Sequence, residues 1–512
     1  MTVYIVCEKR EQDVIKDVIK DNFKDFLVEF IQAESVPLKL SDSIVVVSKN
    51  VILDFRGICV GEKIENLYVF YSNRIFQVSD DEKLVEKRSQ MISSQNWDMA
   101  KRINGVLVAI DFLLHREDSK GMPDYLQIET TSYCNAKCVM CSHYFSNNKD
   151  ACHLSNNTLN NMEDAIKLSS TISLNGMGEP FMSPEVCNQI DYYRQFGNRI
   201  VTNTNLSILD DRIIAQINSC FDWLEISIDG ASPKLYEAVR KNLKYDTLKA
   251  NLTRLKQECP NVRKHIAMVV MRQNVHEMPA LVELAYEAGA NIITFMTLNA
   301  NIIIQNSADE MSNYPKVLEY YSVKALEVGK RLGIPVIVPN AITLNYDIKF
   351  EDIVDELDVM NSTEKFKTEE QEKEMYKVAN IVDEYLQEND EIQYDTVPSK
   401  VKCRGICDWI LKQSYIDLHG NVAMCCRNQS FHMGNVNKTG CFENVWTGEF
   451  YKKLRRIFYS GYIPESCLKC GLIESGNLHH LIVDTDDKFY AEPQYKNRQK
   501  KVLLELLMKE SE

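Results

Sequence analysis

The feature that most constrains the fold is a regular alternation of strand-like and helix-like segments over residues 124–300. Strands that alternate with helices predict a parallel sheet covered by helices, because each parallel connection needs a crossover. Repeated units of this kind can form an open, partial (β/α)6 barrel with its functional loops at the carboxyl ends of the strands. The predicted strands cover residues 126–129, 171–175, 199–203, 223–229, 264–271 and 291–297.

The segments that flank this barrel differ from it and from each other. Residues 1–115 mix strand-like and helical patterns and predict an N-terminal α/β accessory domain whose role the sequence leaves open. The barrel is assigned to 120–305, and 306–400 are predicted to be a helical, acidic linker. Residues 401–475 are irregular and rich in cysteine, which is typical of a small domain organised by metal. Residues 476–512 are predicted to be a helical tail.

Composition narrows the possible classes of function. The formal net charge of −14 argues against a general nucleic-acid binder, because such a surface would be basic. No run approaches the roughly 20 apolar residues needed to span a bilayer, and the N-terminus lacks the pattern of a signal peptide. We therefore expect a cytoplasmic protein with neither a nucleic-acid nor a membrane partner. In that compartment the 16 cysteines are expected to be thiols or metal ligands.

A first group of cysteines, Cys134, Cys138 and Cys141, follows the first predicted barrel strand at short spacing. Thiolates at this spacing can converge from one loop on one inorganic centre, and their softness favours zinc or an iron–sulfur cluster. A structural zinc needs a fourth protein ligand, for which His143 is the obvious candidate. A cubane held by three cysteines instead keeps one iron open for chemistry, and the spacing favours it over zinc.

This segment resembles the signature of the radical S-adenosylmethionine (SAM) superfamily in its spacing, in its place after the first strand, and in Tyr133 beside the first cysteine. Further motifs follow in the family's order, although each one alone also suits an ordinary strand-to-helix turn. The resemblance implies a glycine-rich turn for the amino group of SAM and polar strand ends for its ribose and carboxylate. It also implies that the sixth strand approaches the adenine. The implied SAM-binding residues are Gly176, Gly178, Glu179, Asn203, Ser227, Asp229, Met296 and Thr297.

The chemistry that this resemblance implies is well defined. The open iron of a 4Fe-4S cluster binds SAM, and one electron cleaves a carbon–sulfur bond to give methionine and a 5′-deoxyadenosyl radical. That radical abstracts hydrogen from a substrate, and a flavodoxin or ferredoxin-type protein is the implied electron donor. Cys152 lies past the cluster loop and is a candidate catalytic hydrogen donor, although a spare buried thiol is the commoner role.

A second group of cysteines lies near the C-terminus, in an order that resembles the SPASM/Twitch auxiliary domain of many radical SAM proteins. An Asp-x-x-Gly hairpin precedes Cys425 and Cys426, and a Gly-Asn turn, Trp446 and a closing C-x2-C motif follow. A zinc ribbon is the alternative. Cys403, Cys426 and Cys441 are expected to remain thiols, although Cys403 is an alternative to Cys407 as a ligand. The resemblance implies one auxiliary 4Fe-4S cluster with four ligands, which are Cys407, Cys425, Cys467 and Cys470.

The substrate and the oligomeric state stay open at this point. A fully ligated auxiliary cluster has two possible roles, which are to accept an electron from a substrate radical or to hold the substrate. SPASM-type resemblance most often implies a maturase that modifies a peptide or protein. Oxidation of a small alcohol, sugar or aminocyclitol is the alternative, and formylglycine formation is third. A non-catalytic, metal-stabilised binding module is disfavoured, because the glycine-rich turn and the polar strand ends are present.

Overall fold

The structure is a computed structural model, and its described residues confirm an α/β chain built around a partial barrel. Among these residues, no helix is both long enough and apolar enough to cross a bilayer. Cys470 lies outside them, as do most of the predicted tail and the acidic end of the linker. The described residues are 2–6, 12, 15–16, 27–31, 44–48, 67–71, 74–77, 81–141, 151–298, 309–339, 344–362, 364–368, 370–371, 398–426, 432–467 and 481–483.

The N-terminal strands form an open sheet in the order β2-β1-β3-β4-β5. Strands β1 to β4 are parallel to their neighbours, and β5 returns antiparallel to β4. Ile5 and Val46, on the two central strands, are fully buried. The strands are β1 (Thr2–Val6), β2 (Leu27–Ile31), β3 (Ile44–Ser48), β4 (Leu67–Tyr71) and β5 (Arg74–Gln77).

Two helices, α1 (Asp81–Ser93) and α2 (Trp97–Leu113), connect this sheet to the barrel. The sequence assigns both to the accessory domain, but α2 packs in the same core as the barrel. The ammonium group of Lys101 in α2 donates to the carbonyl of Phe196 at 2.7 Å, and Asn104 donates to the carbonyl of Met122 at 2.9 Å. The second half of α2 is apolar on nearly every face, and a helix of this kind must be buried on all sides.

The parallel barrel strands follow one another in chain order, as the alternating pattern predicts. A break at Thr202 divides the third strand into β9 and β10, so the wall consists of two hydrogen-bonded sheets. Short strands β7 and β12 pair with each other outside the wall. The strands are β6 (Tyr125–Ile128), β7 (Lys137–Cys138), β8 (Thr171–Ser173), β9 (Arg199–Val201), β10 (Asn203–Thr204), β11 (Trp223–Ser227), β12 (Arg240–Lys241), β13 (Arg263–Val270) and β14 (Ile292–Thr297).

Helices between these strands cover one face of the wall. In β11, Leu224 and Ile226 point toward the helices and are fully buried, whereas Glu225 on the other face is half-buried. Asp210 starts α6 by accepting a hydrogen bond from the backbone N–H of Ile213 at 2.8 Å, the usual N-cap contact. The helices are α3 (Asn156–Asn160), α4 (Glu163–Leu168), α5 (Val186–Arg194), α6 (Asp211–Cys220), α7 (Pro233–Val239), α8 (Tyr245–Glu258) and α9 (Met278–Glu287).

The described part of the linker is mainly helical, as the sequence predicts. It contains α10 (Pro315–Leu332), β15 (Val336–Ile337) and α11 (Val354–Asn361). Strand β15 pairs in parallel with β14 and so lengthens the barrel wall. Gly333 ends α10 with a φ of +73°, a left-handed conformation that glycine adopts without a Cβ penalty.

The C-terminal domain continues the barrel sheet at its other edge. Strand β17 runs parallel to β6, which gives the order β19-β18-β17-β6-β8-β9. Strand β16 pairs antiparallel with β20 and β21, and β21 lies within the segment predicted to be a helical tail. The elements are β16 (Pro398–Gly405), α12 (Asp408–Leu411), β17 (Gln413–Ile416), β18 (Asn421–Ala423), β19 (His432–Asn435), α13 (Val436–Thr439), α14 (Phe442–Trp446), α15 (Glu449–Tyr459), β20 (Tyr462–Pro464) and β21 (Leu481–Val483).

Buried polar contacts hold this domain to the segment that leads into β6. The indole N–H of Trp446 donates to the carbonyl of Gly121 at 2.9 Å. The guanidinium of Arg455 lies 4.5 Å from the centre of the Trp446 ring and donates to the carbonyl of Glu117 at 3.0 Å. The C-terminal domain therefore shares its core with the barrel and does not depend on metal alone for its packing.

Candidate active site

The first cysteine loop leaves the carboxyl end of β6 and is held by the β7–β12 pair, in which Cys138 lies opposite Arg240. Cys138 is buried, Cys134 and Cys141 are half-buried, and all three are free thiols. Each thiol is close enough to the other two to interact with them electrostatically. The structure therefore places the three predicted ligands near one another on one loop, and their shared coordination of a cluster stays a prediction.

The electrostatics of this loop suit a metal centre. Burial raises the pKa of Cys134 to about 11 and that of Cys138 to about 12, and the neighbouring thiols add to the increase. Such thiols become thiolates when a coordinated metal supplies the compensating positive charge. Within the described ranges, no three Cys, His, Asp or Glu side chains converge closely enough to hold a single metal ion. Three soft donors on one loop fit a multi-iron cluster.

The glycine-rich turn after β8 packs directly on the segment that leads into Cys134. A Cβ atom on Gly178 would lie 2.3 Å from the carbonyl oxygen of Thr131, and one on Gly176 would lie 1.8 Å from Cγ of Glu129. The backbone N–H of Glu179 donates to the carbonyl of Tyr133 at 2.9 Å. Only glycine permits this approach, so the turn is locked to the cysteine loop.

The carboxylate of Glu179 is buried, and both of its oxygens accept hydrogen bonds from the chain after β9. One accepts from the hydroxyl of Thr204 at 2.6 Å, and the other accepts from the backbone N–H of Asn205 at 2.8 Å. Burial raises the pKa of Glu179, although these two donors oppose the increase. Since each carboxylate oxygen has two lone pairs, the predicted contact with the SAM amino group stays possible and stays a prediction.

The other predicted SAM-binding residues lie at the carboxyl ends of successive strands, with one exception. Asn203 pairs with Asn175 across two strand ends, since the Asn175 amide donates to the Asn203 side-chain oxygen at 3.0 Å. Ser227 ends β11, while Met296 and Thr297 end β14. Parallel strands present these ends at one edge, so these residues share the edge that holds the cysteine loop.

Asp229 is the exception, because its carboxylate faces inward. It is fully buried, forms an ion pair with Nε of Arg240 at 2.7 Å and accepts from the backbone N–H of Val269 at 2.8 Å. These contacts give Asp229 a role toward Arg240 that the sequence does not predict. Its contact with SAM stays a prediction.

Glu129 is a site residue that sequence reasoning missed. It accepts hydrogen bonds from the backbone N–H of Met177 in the glycine-rich turn and from the hydroxyl of Tyr415 in β17. Burial raises the pKa of Glu129 to about 7, although the hydrogen bonds from these two donors act to lower it. The available sequence signal was an acidic residue directly after an apolar strand, five positions before Cys134.

Two of the predicted auxiliary ligands lie beside a patch formed by Trp409, Tyr415 and Ala423. Cys407, Cys425 and Cys426 all pack against this patch, together with Tyr125 of β6. Cys467 is half-buried against the main core. Three of the four predicted ligands are thus described, and their shared coordination stays a prediction because Cys470 lies outside the described residues.

The remaining cysteines with predicted roles are also placed. Cys403 is buried on β16, and burial raises its pKa to about 12; Cys441 is half-buried before α14. The backbone N–H of Cys152 donates to the hydroxyl of Ser132 at 2.9 Å, which puts this residue beside the cysteine loop. Its role as a hydrogen donor stays a prediction.

Residues 128–285 match the radical SAM superfamily, and residues 407–471 match the iron–sulfur cluster-binding SPASM domain. The chain therefore contains a radical SAM domain followed by a SPASM domain. These two domains imply SAM and iron–sulfur clusters as its cofactors, one cluster in the radical SAM domain and an auxiliary one in the SPASM domain. The cysteine loop and the Trp409–Tyr415–Ala423 patch lie within the matched ranges.

Known proteins resemble this chain at low identity. The AdoMet-dependent heme synthase of Methanosarcina barkeri (strain Fusaro / DSM 804) is 26% identical over 171 residues, which cover 33% of this chain and 48% of that relative. The chain thus spans about half the length of this curated relative. Among solved structures, AdoMet-bound anSMEcpe has a TM-score of 0.46 at 14% identity, covering 75% of this chain and 92% of that one. Streptococcus suis SuiB bound to precursor peptide SuiA has a TM-score of 0.45 at 14% identity, and the match covers 70% of this chain and 72% of SuiB.

Proposed function

We propose that this radical SAM enzyme is a maturase that abstracts a hydrogen atom from a peptide or protein substrate. SAM and the reduced cluster, when bound at the cysteine loop, supply a 5′-deoxyadenosyl radical for that abstraction. Cys407, Cys425, Cys467 and Cys470 would hold an auxiliary cluster, which would supply either an electron acceptor for the substrate or a binding site for it. A flavodoxin or ferredoxin-type protein would supply the reducing electron. The SPASM domain supports the choice of a peptide substrate.

The observation that carries this proposal is the position of Tyr415 between the two cysteine sites. Tyr415 belongs to the patch that Cys407 and Cys425 pack against. Its hydroxyl donates to Glu129, which also accepts from the backbone of the glycine-rich turn. Hydrogen bonds through Glu129 therefore join the predicted SAM turn to the patch against which two of the predicted auxiliary ligands pack. A substrate radical formed at this edge of the sheet would be near an electron acceptor.

Residues of the chain position the reactants in this scheme. The glycine-rich turn and the strand ends at Asn203, Ser227 and Thr297 would bind and orient SAM. Glu129 holds the turn against β17, because its carboxylate binds both. Holding the reacting groups in one fixed geometry is the main contribution a protein makes to cofactor chemistry of this kind.

The proposal can be tested with anaerobically reconstituted protein, SAM and a strong reductant. We expect slow formation of 5′-deoxyadenosine without substrate. Short peptides encoded beside the gene should stimulate it, and a panel of polyols and aminocyclitols should not. Deuterium placed on the modified peptide carbon should appear in 5′-deoxyadenosine, as mass spectrometry would show. The matched control is Cys220→Ala, which removes a half-buried thiol on α6 outside both cysteine sites.

Two results would contradict the proposal at different levels. Stimulation by a polyol and by no peptide would assign the enzyme to alcohol oxidation and keep the radical chemistry. Full iron and sulfide content without any cleavage of SAM would contradict the proposed radical chemistry itself.

A further inference from the structure

Arg240 lies beside the first cysteine loop because of a short backbone pairing. Helix α7 ends at Val239, whose carbonyl accepts from the backbone N–H of Val139 at 3.0 Å. Arg240 and Lys241 then form β12, which pairs antiparallel with β7 so that Arg240 is opposite Cys138. The backbone alone therefore places a cationic side chain next to one of the three predicted cluster ligands.

The guanidinium of Arg240 is directed at the sulfur of that ligand. Nη1 donates to Sγ of Cys138 at 3.8 Å, a contact in the range of N–H···S hydrogen bonds. Both partners are buried, and Arg240 is 7% exposed. A guanidinium is always protonated, so this contact places a positive charge and an N–H donor at the thiol.

Asp229 determines the direction in which Arg240 points. Its carboxylate is fully buried and lies 2.7 Å from Nε of Arg240, while its other oxygen accepts from the backbone of Val269. A buried charge that lost its partner would be strongly destabilising, so the pair is held together once folded. With Nε held by Asp229, the far end of the guanidinium remains directed at Cys138.

We propose that Arg240 is a positioning residue that donates a hydrogen bond to the Cys138 thiolate and thereby raises the reduction potential of the SAM-binding cluster, with Asp229 as its anchor. The physical reason is that reduction adds negative charge to the cluster and its sulfurs. A fixed N–H donor and cation stabilise the reduced state more than the oxidised state. This inference rests on the proposed function, because it requires Cys138 to be a cluster ligand.

The test is an EPR-monitored redox titration of the full-length reconstituted protein, following the cluster signal that changes when SAM is added. Arg240→Gln should lower the midpoint potential. At a fixed solution potential the ratio of reduced to oxidised cluster should fall about tenfold, which corresponds to about 59 mV for a one-electron couple. Arg240→Lys keeps the positive charge but lacks the planar guanidinium group, and it should lower the midpoint potential by less. Iron content should stay at the wild-type value in both variants.

Arg88→Gln is the matched control. Arg88 lies in α1 and is also 7% exposed, but it donates to the side chain of Asn104 and to the carbonyl of Lys120, which are outside the cysteine loop. Replacing Arg88 should therefore leave the reduction potential of the cluster unchanged. If Arg240→Gln does not fold, Arg240→Lys still tests the inference, because it removes the N–H donor that is directed at Cys138.

The results distinguish this inference from the proposed function. An unchanged or raised potential in a folded Arg240→Gln or Arg240→Lys variant with full iron would overturn the role of Arg240 while leaving the radical chemistry intact. Absence of any SAM-sensitive cluster signal in the wild-type protein would instead overturn the proposed function, and the role of Arg240 with it.

Discussion

The first cysteine loop and the predicted auxiliary site hold their cysteines in different ways. The first three predicted ligands fall within residues 134–141, on a loop held by one short antiparallel pair. The predicted auxiliary ligands extend from Cys407 to Cys470, and the elements α12, β17 and β18 place Cys407 and Cys425 against one patch. A short loop closes at little entropic cost, whereas distant ligands depend on folding of the intervening chain. One site is therefore mainly local, and the other is tertiary.

Removing the local site should have the largest effect. Replacement of Cys134, Cys138 and Cys141 together by Ala should abolish formation of 5′-deoxyadenosine and remove one cubane of iron and sulfide. The reconstituted wild-type protein should hold about eight irons and the variant about four. Iron analysis and chromatography of the products measure both effects. Stoichiometric zinc without iron in the wild-type protein would contradict the assignment of the cysteine sites to iron–sulfur clusters.

The auxiliary site should respond differently, because its ligands also organise the surrounding chain. Cys467→Ala should spare cleavage of SAM, abolish product formation and destabilise residues 401–475, since metal binding contributes folding free energy there. Cys426→Ala should leave the iron content unchanged, although Cys426 packs on the same patch as Cys425. Iron content and hydrogen exchange separate the two variants. Loss of the second cluster in Cys426→Ala and its retention in Cys425→Ala would shift the ligand assignment by one residue.

Substitutions in the glycine-rich turn should have a smaller effect than removal of the cysteines. Gly178→Ala directs a methyl group at the backbone carbonyl of Thr131, whereas Gly176→Ala meets the movable side chain of Glu129. Overpacking of this kind costs about 1–3 kcal/mol, and we expect Gly178→Ala to lie at the upper end. Thermal unfolding and SAM affinity should both fall more in Gly178→Ala than in Gly176→Ala. The reverse order would mean that the turn does not press on the cysteine loop.

A pH dependence of the stability is expected at Glu129, where the two regions meet. Burial raises the pKa of Glu129 from its ordinary value of 4.5 to about 7, so the folded state favours the protonated carboxyl. The resulting stabilisation is fully present below the ordinary pKa and is lost as pH rises through about 7. The free energy of unfolding of the wild-type protein should therefore fall relative to Glu129→Gln between those two pH values. Parallel stability curves for the two proteins would show that Glu129 is not buried in this way.

Local patterns were sufficient for much of the fold. The predicted barrel strands coincide closely with the observed ones, because period-two burial and intervening helices leave a direct trace in the order of residues. The glycine-rich turn was recognisable for the same reason, since it follows a strand and needs residues without a Cβ. The sequence did not indicate that helix α2 also packs against the barrel, because an apolar helix shows that it is buried without showing what covers it.

The sequence by itself determined the parallel barrel, the cysteine loop and the presence of two cysteine-rich sites, since each depends on residues close together in the chain. Only the tertiary structure decided that β17 extends the barrel through β6, that Glu129 joins Tyr415 to the glycine-rich turn, and that Arg240 meets Cys138. These contacts join residues far apart in sequence, and no local propensity or spacing specifies which distant partner a buried charge or an open sheet edge will meet.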